Sequence, residues 1–242
     1  MAKNAVSTAA PAKVSKDASI PVRGRVADLK LDKKLPKNVD AVIVAVFTED
    51  DSLQLAGGDQ LSTIFNDKQQ ASILKQLEAV GAKGKINEVT RIPGIEDVAP
   101  VIAVGLGKAD ELDDEKLRRA TGTVARSLSG VENIATTVGE LGLEAAVTGF
   151  GLGSYSYKGL RKASDEDAED TADKPLTIHF IGGDKDEFVA SQIIVESVIL
   201  ARDLVNPPSS HLYPESYAVI AANEAGKYGL KTEILDDEQL AE

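Results

Sequence analysis

Apolar positions along this chain follow two rhythms. From Val39 to Phe47 (VDAVIVAVF) they run almost unbroken, the signature of a strand buried on both faces in a largely parallel sheet. Pro100 to Leu106 (PVIAVGL) is a second such run, with Gly105 and Gly107 at its end. Ile134 to Val138 predicts a short strand. Leu176, Ile178 and Phe180 alternate with Thr177 and His179, which predicts a strand with two distinct faces. Between these segments the spacing becomes helical. Ala71, Leu74 and Leu77 place a helix over 67–80, with Gly81 suited to the position just past its end. Asp113 or Asp114 can cap a helix whose inner stripe is Leu117, Ala120, Val124 and Leu128, and Gly130 ends it. Leu141 to Ala146 opens a further helix. Strands and helices alternate without an internal repeat, so the fold class is α/β, with helices on both faces of a sheet.

The segment Asp186 to Val205 predicts a long helix that is apolar over more than half its circumference. One face carries Val189, Ile193, Leu200 and Leu204; another carries Ala190, Ile194, Val198, Ala201 and Val205. Gln192, Glu196 and Asp203 make the polar stripe. Such a helix is normally buried between two bodies of protein. Asn206-Pro207-Pro208 stops it, because a residue before proline avoids the helical region. Pro214 to Tyr228 predicts another helix ended by Gly229, and Lys231 to Leu235 a strand. The expected organisation is a tail over 1–18, an α/β domain over 19–183, an interdomain helix over 184–206, and the opening of a second α/β domain over 207–242.

Composition narrows the function classes. The 242 residues include no Cys, which removes disulfides and thiolate metal sites. The formal charge of -12 argues against broad nucleic-acid binding, which needs clustered Lys and Arg. No apolar run approaches the roughly 18 residues a membrane span requires. Met1 to Ile20 is rich in Ala, Ser and Lys and has no apolar core, so it does not read as a secretory signal. The expectation is a cytoplasmic protein with no nucleic-acid or membrane partner.

The run Ala201-Arg202-Asp203-Leu204-Val205-Asn206-Pro207-Pro208-Ser209, followed by Leu212-Tyr213-Pro214-Glu215, resembles the junction pattern ARDLVN-x-P-S/N, then L-T-P-E, of the two-metal leucyl aminopeptidases. Upstream stretches fit in the same order: Val104 to Lys108 (VGLGK), Leu117 to Leu128 (LRRATGTVARSL) and Gly149 to Lys158 (GFGLGSYSYK). Downstream, Gly229 to Leu235 (GLKTEIL) is similar to the strand that opens the family's catalytic domain. Tyr213 departs from the pattern, standing where the family has a Thr that caps the next helix. The resemblance implies a layered α/β/α, macro-domain-like N-terminal domain and a long interdomain helix. For the full-length parent it implies two divalent metals (zinc or manganese), peptide substrates and a homo-hexamer. The family's metal ligands lie beyond Leu235, so no catalytic, metal or cofactor-binding residue is assigned in this chain. The chain's own work would then be packing and assembly. An alternative is a macro-like module that binds a nucleotide-type ligand without peptidase activity.

The side chains that could carry chemistry have local explanations. The acidic clusters Glu49-Asp50-Asp51, Asp113-Asp114, Asp165 to Asp173 and Asp236-Asp237-Glu238 are local, and read as solvated loops or helix starts. His179 and His211 have no partner at metal-ligand spacing. Ser209-Ser210-His211 looks like a nucleophile beside a base, but neighbours on one loop rarely present triad geometry. The glycine cluster Gly149 to Gly153 lacks the strand before and helix after it that a dinucleotide loop needs, so close backbone packing is expected there, with a vestigial macro-type ligand loop as the alternative.

Overall fold

The chain is described by a computed structural model covering residues 18–50, 52–94, 99–159 and 176–240. The acidic stretch from Ala163 to Lys174, and with it the cluster Asp165 to Asp173, lies outside these residues. At the centre is a seven-stranded sheet. Its strands are β1 (Asp28–Asp32), β2 (Ala41–Glu49), β3 (Ser52–Ala56), β4 (Val89–Ile92), β5 (Val101–Gly107), β6 (Asn133–Thr136) and β7 (Thr177–Ile181). The spatial order is β1-β7-β6-β2-β5-β4, and β3 folds back on the outer half of β2. Strands β1, β7, β6, β2 and β5 are parallel, with Val42 opposite Val101 and Ala41 opposite Ile134. β3 and β4 run antiparallel to their neighbours.

The apolar runs in β2 and β5 exist because both faces of the sheet are covered. Ile43 and Ala45 point to one core with Ile102, Val104, Ile178 and Phe180. Val42, Val44 and Val46 point to the other with Val101 and Ala103. The first face is covered by α3 (Asp114–Ser127), α4 (Leu143–Gly153) and α5 (Lys185–Val205); the second by α1 (Gly58–Ile64) and α2 (Asp67–Ala79). The result is a layered α/β/α arrangement. Side chains close the helix starts. Asn66 and Gln69 form a reciprocal capping box at α2. Asp113 Oδ1 accepts from Lys116 N at 2.7 Å at α3. Asp184 Oδ1 accepts from Asp186 N and Glu187 N at α5.

The orientation of α5 differs from the sequence expectation. Its buried stripe is Phe188, Ser191, Val195 and Ile199. Gln192, expected to face solvent, donates from Nε2 to Leu29 O at 3.0 Å, and Asp203 is 1% exposed. Gln192 turns inward here because a strand carbonyl satisfies its amide. Val189, Ile193 and Ile194 stand exposed instead.

The chain divides into two compact units. One is Gly24–Arg202; the other joins the described residues before Gly24 to those from Asp203 onward. In the second unit, α6 (Pro214–Lys227) buries Ser216 and Ile220. Arg23 Nη2 meets Glu224 Oε1 at 2.6 Å, and Asn223 donates to Ala18 O. Tyr213 makes no side-chain cap; instead Ser216 Oγ accepts from Tyr213 N at 2.9 Å. Lys231 to Leu235 is irregular and exposed rather than a strand. A strand needs a hydrogen-bonding neighbour, and among the described residues none lies beside it.

Candidate functional site

The sequence motifs meet in space. Arg202, in the ARDLVN run of α5, donates from Nη1 to Leu152 O at 2.9 Å, and its guanidinium lies 5.4 Å from the centre of the Tyr155 ring. Leu152 and Tyr155 belong to the run Gly149 to Lys158. One residue thus ties the interdomain-type helix to the end of α4. The Arg planar fork and its affinity for aromatic faces suit this double contact better than Lys would.

The glycine cluster is a packing device. It lies inside α4, where a Cβ on Gly149 would fall 2.0 Å from Thr121 Oγ1 and 2.5 Å from Arg118 O. A Cβ on Gly153 would fall 2.6 Å from Gly122 O, and one on Gly151 2.6 Å from Val195 Cγ1. These glycines let α3, α4 and α5 approach closely, and their amides are committed to the helix.

The remaining candidates sit apart. His179 Nδ1 lies 2.6 Å from Asp32 Oδ2, a pair between adjacent strands β7 and β1. Ser210 Oγ does approach His211 Nδ1, at 3.0 Å, on an exposed turn, but among the described residues no acid orients that imidazole. Asp236 bonds its own turn through Gln239. Glu115 bridges Arg119 and Arg118 on α3, whose guanidinium groups hold its carboxyl below the ordinary value. Among the described residues no three of His, Asp and Glu converge as metal ligands would, and no helix is long and apolar enough to cross a membrane.

Two clefts open at the carboxyl ends of the parallel strands. In the first, the Glu140 carboxylate accepts from Asp59 N at 3.1 Å and Gln60 N at 3.3 Å. Asp184 and Glu187 share its wall. An internal carboxylate thus occupies the amides at the start of α1, and the acidic wall opposes anions. The second cleft, of about 900 Å³, lies beyond β2 and β5. Sequence reasoning missed it, because its residues come from segments far apart in the chain.

Comparison with known proteins agrees with this architecture. Residues 43–164 match the cytosol aminopeptidase family, N-terminal domain. The chain is 79% identical over 229 residues to the probable cytosol aminopeptidase of Corynebacterium efficiens, covering 94% of this chain and 46% of that protein. It is 68% identical over 232 residues to the corresponding protein of Corynebacterium glutamicum, covering 95% and 45%. Among solved structures, a mutant tomato leucine aminopeptidase superposes with a TM-score of 0.65 at 19% identity, over 90% of this chain and 46% of that one. The bottromycin maturation enzyme BotP gives 0.63 at 22%, over 84% and 41%. The layered α/β body and its motifs define an aminopeptidase N-terminal domain. The chain belongs to the cytosol aminopeptidase family. It spans a little under half the length of the curated relatives it matches.

Proposed function

We propose that this chain is the N-terminal body of a metal-dependent aminopeptidase that removes N-terminal residues from peptides, and that its own contribution is architectural. The observation that carries this is α5. One side of it, Phe188, Val195 and Ile199, packs on the first core, while Val189, Ile193 and Ile194 on other sides lie exposed. A helix apolar on several sides, in a chain that spans under half of its relatives' length, is built to be covered by more protein.

In the parent, two divalent metals, zinc or manganese, would polarise the scissile carbonyl and supply hydroxide. The described side chains do not fit such a centre, since no cluster of three ligand-type residues is present among them. No described residue is given a role toward the metals in this reading. Assembly into a homo-hexamer and action in the cytoplasm belong to the same reading. The test is hydrolysis of a leucyl anilide by the purified 242-residue chain with added manganese or zinc. No turnover is expected. Metal-dependent turnover, free of host peptidases, would overturn the assignment.

A further inference from the structure

The cleft beyond β2 and β5 stands at a change of direction in the sheet. From β2 the chain leaves through β3 to α1 and α2, on the face of Val42 and Val44. From β5 it leaves through a 3-10 turn (Ala109–Glu111) to α3, on the opposite face. Connections that part in this way leave a crevice outside the strand ends, the place where open α/β sheets bind ligands. The register shift between Val46 and Phe47 in the pairing of β2 with β5 falls at its mouth.

The crevice is basic in a chain of net charge -12. Lys83, Lys85, Lys108 and Lys116 line it against Glu78 and Glu111. Glu111 is already shared, lying 3.9 Å from both Lys108 Nζ and Lys116 Nζ. Among the described residues, Lys83 and Lys85 have no acid within ion-pair distance. Leu53, Ile86 and Leu106 give the cleft an apolar floor.

The loop that carries these two lysines is held in place. Glu88 accepts from Lys83 N at 3.1 Å and from Lys85 N at 3.0 Å. Thr48 Oγ1 donates to Lys83 O at 2.5 Å, and Gly107 N donates to Gly84 O at 2.9 Å. Gly84, at φ +63 and with Thr48 Oγ1 2.6 Å from where its Cβ would stand, makes the tight turn between the lysines. Two ammonium groups are thus presented from a fixed backbone beside an apolar floor.

We propose that this cleft binds a small phosphorylated molecule with an apolar or planar body, such as a nucleoside diphosphate. Its volume suits a small ligand. Lysines bind phosphate as point charges, whereas no arginine fork is present to favour a planar carboxylate. The site is separate from the acidic cleft at Glu140 and does not depend on the peptidase reading.

Calorimetric titration of the 242-residue chain with ADP, pyrophosphate and adenosine tests it. ADP is expected to bind, pyrophosphate several-fold more weakly, and adenosine without measurable heat. The double variant Lys83→Glu, Lys85→Glu should weaken ADP binding roughly tenfold or more, about 1.4 kcal/mol. The variant Lys33→Glu, Lys34→Glu makes the same charge change elsewhere on the surface and should leave binding intact. Unchanged melting of both variants would show that folding is not at issue. The proposal is overturned by absence of ADP binding, by equal losses in the two variants, or by pyrophosphate binding as tightly as ADP.

Discussion

The guanidinium of Arg202 sits over the ring of Tyr155, 5.4 Å from its centre, while donating to Leu152 O at 2.9 Å. A charged hydrogen bond and an aromatic contact thus join α5 to the turn after α4. Arg202→Ala leaves that carbonyl without its donor and should cost about 2 kcal/mol. Arg202→Lys keeps the charge but not the fork, and should recover less than half of the loss. Urea unfolding followed by circular dichroism reads both. Full recovery by lysine would show that charge alone matters there.

Glycines in two helices should respond in opposite directions. At Gly149 an added methyl meets Thr121 Oγ1 at 2.0 Å and the backbone at Arg118, neither of which can yield cheaply. Gly149→Ala should destabilise by about 2–3 kcal/mol or prevent folding. At Gly226, near the end of α6, an added methyl would meet nothing within 4 Å, and φ is not positive. Gly226→Ala should stabilise locally by about 0.5–1 kcal/mol. Thermal melting of the pair checks this, and similar effects at both sites would contradict the packing described for α4.

These contrasts show what the sequence could disclose. β2 and β5 were legible because burial on both faces leaves an unbroken apolar run. β1 was not, because its alternation is too short to stand out: only Leu29 and Leu31 are apolar in an edge strand of five residues. β3 and β4 are short antiparallel strands whose pairing is set by neighbours, not by their own pattern. The length of α5 was legible, but its facing was not, because Gln192 reaches inward to Leu29 O. The lysine cleft was invisible for another reason. Lys83 and Lys85 meet Lys108 and Lys116 only after the sheet has formed.

Acid should weaken the second unit before its carboxylates are all protonated. Lys227, through a hydrogen bond, and then the charge of Arg23 hold Glu224 below the ordinary 4.5. The folded carboxylate takes up a proton less readily than the unfolded one. Its contribution is therefore complete above about pH 4.5 and fades as pH falls through the lowered folded value. The partly exposed pairing is worth about 0.5 kcal/mol. Glu224→Gln should melt below the wild type at pH 7, and the gap should close as pH falls below the lowered folded value. A constant gap at all pH values would mean that the charge of Glu224 plays no part.

The exposed side of α5 should govern how the isolated chain behaves in solution. Ile193 is 58% exposed, Val189 43% and Ile194 42%; Val189 and Ile193 stand about one turn apart on the helix, and Ile194 follows directly. Water-facing apolar side chains in this density are rare on a stable monomer, whose largest patch covers about 300–600 Å². Each of these side chains is already about half buried, so covering the rest of it is worth about 1 kcal/mol, and two copies gain by pairing over them. The chain is expected to sediment above monomer mass as concentration rises, and to enhance the fluorescence of a hydrophobic dye. Ile193→Glu with Ile194→Glu places two like charges on the patch without touching Phe188, Val195 or Ile199, which carry the helix's contact with the core. That variant should run as a monomer, lose most of the dye signal and keep its melting temperature. A wild-type chain that stays monomeric at high concentration and leaves the dye dark would mean that the face is not adhesive. The architectural role proposed for α5 would then lose its main support.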